Sequence, residues 1–171
     1  MTTQTSHPAS LTIDALMKQC ETRRQRRGGP GGQHRNKVET AIVLTHKPTE
    51  ISAEASERRS QAENLKVAQF RLRINLALKV RSELEMASFP SQLWKSRIRQ
   101  NKIQVNSQHT DFPTLLAEAL DVLLIKQWDV KSAAELLGSS TSQLVKFLKQ
   151  EPRAFGFLNF QRLSQDLKPL K

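Results

Sequence analysis

Residues 26–37, RRGGPGGQHRNK, gather groups that could hold a polyanion and position a water. Gly31 and Gly32 tolerate positive φ and let backbone amides approach a ligand closely. Arg26, Arg27, Arg35 and Lys37 flank them and can hold phosphates. Gln33 carries an amide donor and acceptor but no titratable group, so it cannot serve as a general base. Its available work is to position a water and, through its backbone N–H, to stabilise a developing oxyanion or a leaving oxygen. A dinucleotide loop requires an apolar strand before the glycines and a long helix after them, and here an arginine-rich run precedes and a β-like run succeeds them. A P-loop is excluded by the missing Gly-Lys-Ser/Thr. A plain basic hairpin tip is the structural alternative that these residues leave open.

Regular elements on both sides must position this segment. Residues 20–27 are polar and extended in character, and residues 38–45 (VETAIVLT) are β-branched enough for a strand. Pro48 and Thr49 mark a turn, after which residues 50–55 return as a second strand with Ile51 inward. The stretch 57–89 lacks Gly and Pro and predicts one long helix. Residues 70–80 (FRLRINLALKV) also alternate as a strand would, but Leu65, Ala68, Leu72 and Leu76 form a helical stripe across the same window. Length favours the helix.

Beyond Pro90, residues 91–101 suit a short basic helix and 101–111 a linker. Asp111 and Pro113 supply an N-cap and a first-turn proline for a helix over 114–128. Asp129 caps a helix over 131–137 that stops at Gly138, and Ser140 caps one over 141–149 that ends at Pro152. A last helix is predicted over 159–167. Residues 132–149 resemble a helix-turn-helix, with Thr141, Ser142, Gln143, Lys146 and Lys149 on the exposed side. The same pattern leaves three readings open: an ordinary helical bundle, an rRNA- or tRNA-binding helix-turn-helix, and a duplex-DNA-binding one. Trp94 and Trp128 are expected as core anchors. His7 and His109 are isolated, so no metal site and no cofactor is expected.

The charge fits a polyanionic partner. Twenty-seven Lys+Arg against sixteen Asp+Glu leave +11, most of it in residues 58–103, where eleven bases face three acids. Residues 104–171 carry eight bases against seven acids and are nearly neutral. Apolar residues make up 37%, enough for a core and too many for a disordered chain. The longest apolar runs are far short of a membrane span. The N-terminus has no signal-like apolar core, and one cysteine, Cys20, suits a reducing compartment; the expected location is cytoplasmic, without membrane attachment.

Four short motifs succeed one another in order: Gly31-Gly32-Gln33, His34-Arg35-Asn36, Leu44-Thr45-His46-Lys47-Pro48-Thr49 and Arg59-Ser60-Gln61-Ala62-Glu63-Asn64. Over about residues 20–82 the chain resembles the catalytic domain of class I peptide chain release factors. The resemblance implies an α+β fold, a small GGQ domain with a short β-sheet packed on a long helix, here joined to a small all-α helical domain. It implies hydrolysis of the peptidyl-tRNA ester at the peptidyl-transferase centre of the large ribosomal subunit, with Gly31, Gly32 and Gln33 catalytic. It also implies a glutamine methyltransferase acting on Gln33 as a partner. Contacts to rRNA and tRNA are expected from Arg23, Arg24, Arg26, Arg27, His34, Arg35, Asn36, Lys37, Arg59, Arg71, Arg73, Arg97 and Arg99. Arg35 stands where such proteins usually have valine. Glu50 replaces a usual glycine, which predicts a different hairpin geometry.

The expected organisation is a tail over 1–17, the GGQ domain over 18–89, a basic linker or short helix over 90–110, and a helical domain over 111–171. Only about twenty residues precede the matching segment, so a stand-alone, codon-independent ribosome-rescue factor is expected. The opposing reading is a non-enzymatic nucleic-acid-binding regulator that uses the helix-turn-helix-like region.

Overall fold

A computed structural model of the chain describes residues 6–25, 41–82 and 88–171. Two compact units divide it, Pro8–Lys79 and Val80–Lys171, the second taking His7 as well. The fold is α+β, with one small three-stranded sheet and several helices.

The first unit opens with a 3-10 turn at Pro8–Ser10 and a short helix, α1 (Ile13–Lys18). Both lie where a tail was expected. They are held because Ala9 and Leu16 are fully buried and the Thr12 hydroxyl accepts the Ala15 N–H at 3.3 Å. Strands β1 (Cys20–Gln25), β2 (Ala41–His46) and β3 (Ile51–Ala55) form an antiparallel sheet with β2 in the centre. Ile42, Leu44 and His46 share one face with Ala53 and Ala55, and all five are buried. Between β2 and β3 the amides of Thr49 and Glu50 both donate to the His46 carbonyl, at 3.3 and 2.8 Å. Glu50 has φ 57, in the left-handed region that glycine favours, so glutamate carries a local backbone cost there.

Helix α2 (Gln61–Lys79) packs on β2 and β3 and on the 3-10 turn. The conflict between helical and alternating patterns is resolved by burial on two sides. Ala68, Leu72 and Leu76 form the stripe, while Ile74 and Ala77 are also buried. Arg71 and Asn75 donate to the carbonyls of Glu54 and Ser52 in β3, at 2.8 and 2.9 Å. Arg73, on another face, donates to the Ala9 carbonyl at 3.0 Å. The helix stops at Lys79, ten residues before the expected end at 89.

In the second unit, helix α3 (Gln92–Arg97) leads into a two-residue ladder, β4 (Ile98–Arg99) with β5 (Lys102–Ile103). Gln100 and Asn101 turn it with φ 49 and 57. Helix α4 (Phe112–Ile125) forms the core, with α5 (Val130–Leu136), α6 (Thr141–Leu148) and α7 (Pro152–Leu163) after it. Asp129 and Ser140 cap α5 and α6 as expected. Asp111 makes no capping bond, because its carboxylate is taken by Arg97. Pro152 opens α7 instead of closing α6, with Glu151 as its cap, so the last helix starts seven residues before the expected position.

Trp94 anchors this unit. Its indole N–H donates to the Leu137 carbonyl at 2.8 Å, and its ring meets Phe147 edge-on at 5.7 Å. The short helix expected over residues 91–101 is thus α3, packed into this unit through Trp94. Trp128 is buried against Phe157 at 5.4 Å. Two carboxylates from α4 organise the entry to the unit. Glu118 accepts the Ser91 N–H at 2.7 Å and its hydroxyl at 2.5 Å, and Asp121 accepts from Arg81 at 3.1 Å and from the Ser82 N–H at 3.3 Å. Burial pushes both carboxyls up. His7 donates to the Val80 carbonyl at 3.1 Å, so the two crossings into the first unit, at residues 7–8 and 79–80, start side by side. Among the described residues no helix is long and apolar enough to cross a membrane.

Candidate active site

The β1–β2 pairing runs from Cys20↔His46 to Gln25↔Ala41. Residues 26–40 therefore join two antiparallel neighbours at the end of the ladder opposite the β2–β3 turn. Arg26, Arg27, Gly31, Gly32, Gln33, His34, Arg35, Asn36 and Lys37 belong to that segment and lie outside the described residues. What the structure describes is the frame from which the segment departs, and two of the four sequence motifs turn out to build that frame.

His46 is 2% exposed. One ring nitrogen, Nε2, lies 2.9 Å from the Gln19 side-chain oxygen, and Nδ1 lies 2.7 Å from the Thr49 hydroxyl. The amide oxygen only accepts, so Nε2 carries the proton and Nδ1 accepts from Thr49. Thr49 Oγ1 in turn accepts the Ile51 N–H at 3.4 Å. The Lys47 N–H donates to the Gln19 carbonyl at 2.9 Å. These bonds tie the end of α1 to the β2–β3 turn through a neutral imidazole, and burial lowers the His46 pKa below 6.5 in keeping with that tautomer. The Thr-His-x-Pro-Thr motif thus has a structural job: it fixes the end of the central strand whose other end carries the glycine segment.

Asn64 does the same for the long helix. It is fully buried, its Oδ1 accepts the Arg58 N–H and its Nδ2 donates to the Arg58 carbonyl, each at 2.9 Å. The Ser60 hydroxyl accepts the Glu63 N–H at 3.4 Å and starts the helix. In Arg-Ser-Gln-x-x-Asn, then, serine and asparagine build the bend between β3 and α2. Sequence reasoning missed both roles, since the partners Gln19 and Arg58 are not marked by spacing or type.

The basic residues divide into two kinds. Arg23, Arg24, Arg59 and Arg99 are exposed. Arg23 pairs with Glu21 at 2.9 Å in full solvent, a contact too screened to hold it against a phosphate. Arg71 is engaged by Glu57 at 2.5 Å as well as by the Glu54 carbonyl. Arg73 holds the 3-10 turn. Arg97 is bonded to Asp111 and lies 3.3 Å from His109 Nε2 in the second unit. Arg71, Arg73 and Arg97 therefore have fold-building partners, which sequence reading assigned to RNA alone. Cys20 is half-buried and burial pushes its thiol up, so at neutral pH it is protonated and a poor nucleophile.

Known proteins resemble this chain over the same region. Residues 9–112 match the RF-1 domain, a span that takes in the sheet and α2 of the first unit together with α3 and the β4–β5 ladder. Peptide chain release factor 1 of Xylella fastidiosa is 40% identical over 77 residues, which is 45% of this chain and 19% of that protein. The chloroplastic peptide chain release factor PrfB1 of Arabidopsis thaliana is 49% identical over 51 residues, 30% of this chain and 11% of that one. Peptide chain release factor 2 of Staphylococcus saprophyticus is 36% identical over 99 residues, 54% of this chain and 24% of that one. The chain thus spans from about a tenth to a quarter of the length of these relatives. On the strength of the matched span, which is well over half its length, the chain belongs to the RF-1 domain family.

Proposed function

We propose that this protein releases peptides on the ribosome by hydrolysing the ester between peptide and tRNA, without reading a stop codon. The observation that carries the proposal is Gly31-Gly32-Gln33 within the connection between β1 and β2 of an RF-1 domain. Sixteen Cα–Cα steps separate Gln25 from Ala41, so the connection can reach at most about 29 Å from the sheet. That is reach enough to enter a narrow RNA-walled centre while the sheet stays outside. Glycines at 31 and 32 permit a backbone shape that β-carbons would obstruct. The Gln33 N–H and side-chain amide orient the attacking water and stabilise the leaving 3′-oxygen; the water oxygen bonds to the ester carbonyl carbon as that carbon's bond to the 3′-oxygen breaks, and a water proton passes to the 3′-oxygen. Arg23 and Arg24 on β1, with Arg26, Arg27, Arg35 and Lys37, contact rRNA phosphates. Methylation of the Gln33 amide by a partner methyltransferase belongs to the same reading, and intact mass of the native protein tests it.

A nearly neutral region after the family match is compatible with codon independence. The family match is confined to residues 9–112, and the helices after it lie in a region, residues 104–171, where eight bases and seven acids leave little net charge to attract mRNA. The deciding experiment measures labelled peptide released from stalled ribosomes with and without a stop codon in the A site. Equal release in both is expected. Gln33→Ala should slow release about 10²–10³-fold, the usual loss when one preorganised donor is removed, and Gly32→Val should slow it more. Release by both variants at the wild-type rate would end the catalytic assignment, and release only at stop codons would end the codon-independent one.

A further inference from the structure

The helix-turn-helix pattern at residues 132–149 is not used by peptide release, and it lies beyond the RF-1 match. In the structure α5 and α6 are joined through Gly138, φ 64, and the Ser140 cap. Leu144, Phe147 and Leu148 point into the core, which leaves Thr141, Ser142, Lys146 and Lys149 on the outer face of α6.

That face does not stand out as a bare ridge. A cleft lies along each of its sides. One, of about 470 Å³, is bounded by residues 103–106 and His109 on one wall and by Gln143, Lys146, Phe147 and Gln150 on the other. The second, of about 380 Å³, is lined by Thr141, Ser142, Val145, Lys146, Lys149 and the segment ending Leu170-Lys171. Lys146 borders both. Neither lining contains an aspartate or glutamate, in a unit where acids and bases are otherwise almost balanced.

The chemistry of the two clefts differs. The larger is rich in carboxamides, Gln104, Asn106, Gln143 and Gln150, with Ile103, Val105 and Phe147 also in its lining. Gln150 donates to the Val105 carbonyl at 3.2 Å and Asn106 Oδ1 accepts the Gln108 N–H at 2.9 Å, so two of these amides are oriented with their remaining groups available. Amides that both donate and accept, beside apolar residues, suit the edge of an unpaired base. The smaller cleft brings hydroxyls and lysines together, which suits phosphate oxygens.

We propose that α6 and its two clefts bind a single-stranded RNA segment, a base in the amide cleft and the adjoining phosphates along Lys146, Lys149 and Lys171. Duplex binding through a projecting recognition helix is the alternative occupant that the test separates. The choice of RNA over other single strands rests on the proposed ribosomal function; the position of the site does not.

The test uses the full chain and a fluorescein-labelled RNA of mixed sequence, about 12 nucleotides long, monitored by anisotropy from about 50 to 300 mM KCl. Each lysine–phosphate contact on a single strand contributes about 0.7 to the slope of log K against log salt. Lys146→Gln with Lys149→Gln should therefore lower the slope by about 1.4 and weaken binding about 25-fold at about 0.1 M. The charge-matched control, Lys131→Gln with Lys168→Gln, should leave the slope in place. Gln104→Ala with Gln143→Ala should weaken binding several-fold with the slope unchanged, because no charge is removed. Unaltered binding by the α6 lysine variant, or an equal loss from the control pair, overturns the proposal. So does an α6 dependence seen with duplex RNA and absent with the single strand. Peptide release is assayed on the same wild-type protein. Release without α6-dependent RNA binding refutes this inference and spares the function, and the converse result does the opposite.

Discussion

Replacing His46 by phenylalanine tests the claim that a neutral imidazole holds the frame of the catalytic segment. Phenylalanine fills the ring volume, so the loss is confined to two hydrogen bonds and the groups left behind. The Gln19 oxygen loses its donor at 2.9 Å and the Thr49 hydroxyl its acceptor at 2.7 Å. Each bond contributes about 1 kcal/mol net, and leaving partly buried partners unsatisfied adds about as much again, so a cost of about 2–4 kcal/mol is expected. Adding Thr49→Val should return about 1 kcal/mol of it, because the orphaned hydroxyl is then gone. The pH dependence gives a second, independent readout. Burial holds the folded pKa below 6.5, so above that value the imidazole is neutral in both states and its full contribution is present. As pH falls through 6.5 the unfolded chain takes up the proton first, and stability drops until the folded pKa is reached. One such group gives at most about 1.4 kcal/mol per pH unit. The variant should lack this component. Hydrogen exchange of the β2–β3 amides, read by mass spectrometry over a urea series, reports the first unit specifically, since both tryptophans lie in the second. A loss under about 0.5 kcal/mol, or identical pH slopes for the two proteins below 6.5, would refute the reasoning.

Three further outcomes are expected. Converting Arg23, Arg24, Arg26 and Arg27 to glutamine should flatten the salt dependence of ribosome binding between about 50 and 200 mM, and an unchanged slope would assign these side chains to solvent. At Glu50, φ 57, a glycine should hold or raise stability by up to about 1 kcal/mol while a valine lowers it by at least about 1 kcal/mol, measured by the same exchange series. Trp94→Ala should destabilise the second unit by about 3–5 kcal/mol, monitored through Trp128 fluorescence, and a chain cut after residue 105 should lose that unit altogether because Leu137 and Phe147 go with the cut.

Pattern and composition were good guides wherever the determinant is local. The β-branched run before Pro48 and the return at Ile51 became β2 and β3, Asp129 and Ser140 became caps, and both tryptophans became anchors. Pattern failed where the determinant is distant. Helix α2 ends at Lys79 with no glycine or proline to stop it, at the point where the chain crosses to a unit in which the Val80 carbonyl meets His7. Helix α1 is too short to show a period, and it persists because Leu16 and Ala9 find cover. Pro152 and Gly156 look like breakers, yet proline is at home in a first helical turn and the glycine has open space beside it.

The same division governs what was legible of the candidate site. Gly31, Gly32 and Gln33 were conspicuous because their types are unusual together, and unusual types at one spot point to chemistry. His46, Asn64, Arg73 and Arg97 were equally conspicuous as polar groups in motifs or basic runs, and geometry gives each a partner in the fold. A motif shared with a family therefore mixes two demands, the reacting groups and the frame that aims them. In this chain the two separate cleanly along β2. Its His46 end is fixed by an imidazole, a threonine and a glutamine that touch no substrate in the proposed reaction. Its Ala41 end receives the glycine segment. Substitutions at the first end should act through stability and leave turnover per folded molecule intact, whereas substitutions at Gln33 should leave stability intact and remove turnover. Measuring both quantities for one variant of each kind decides whether that separation holds.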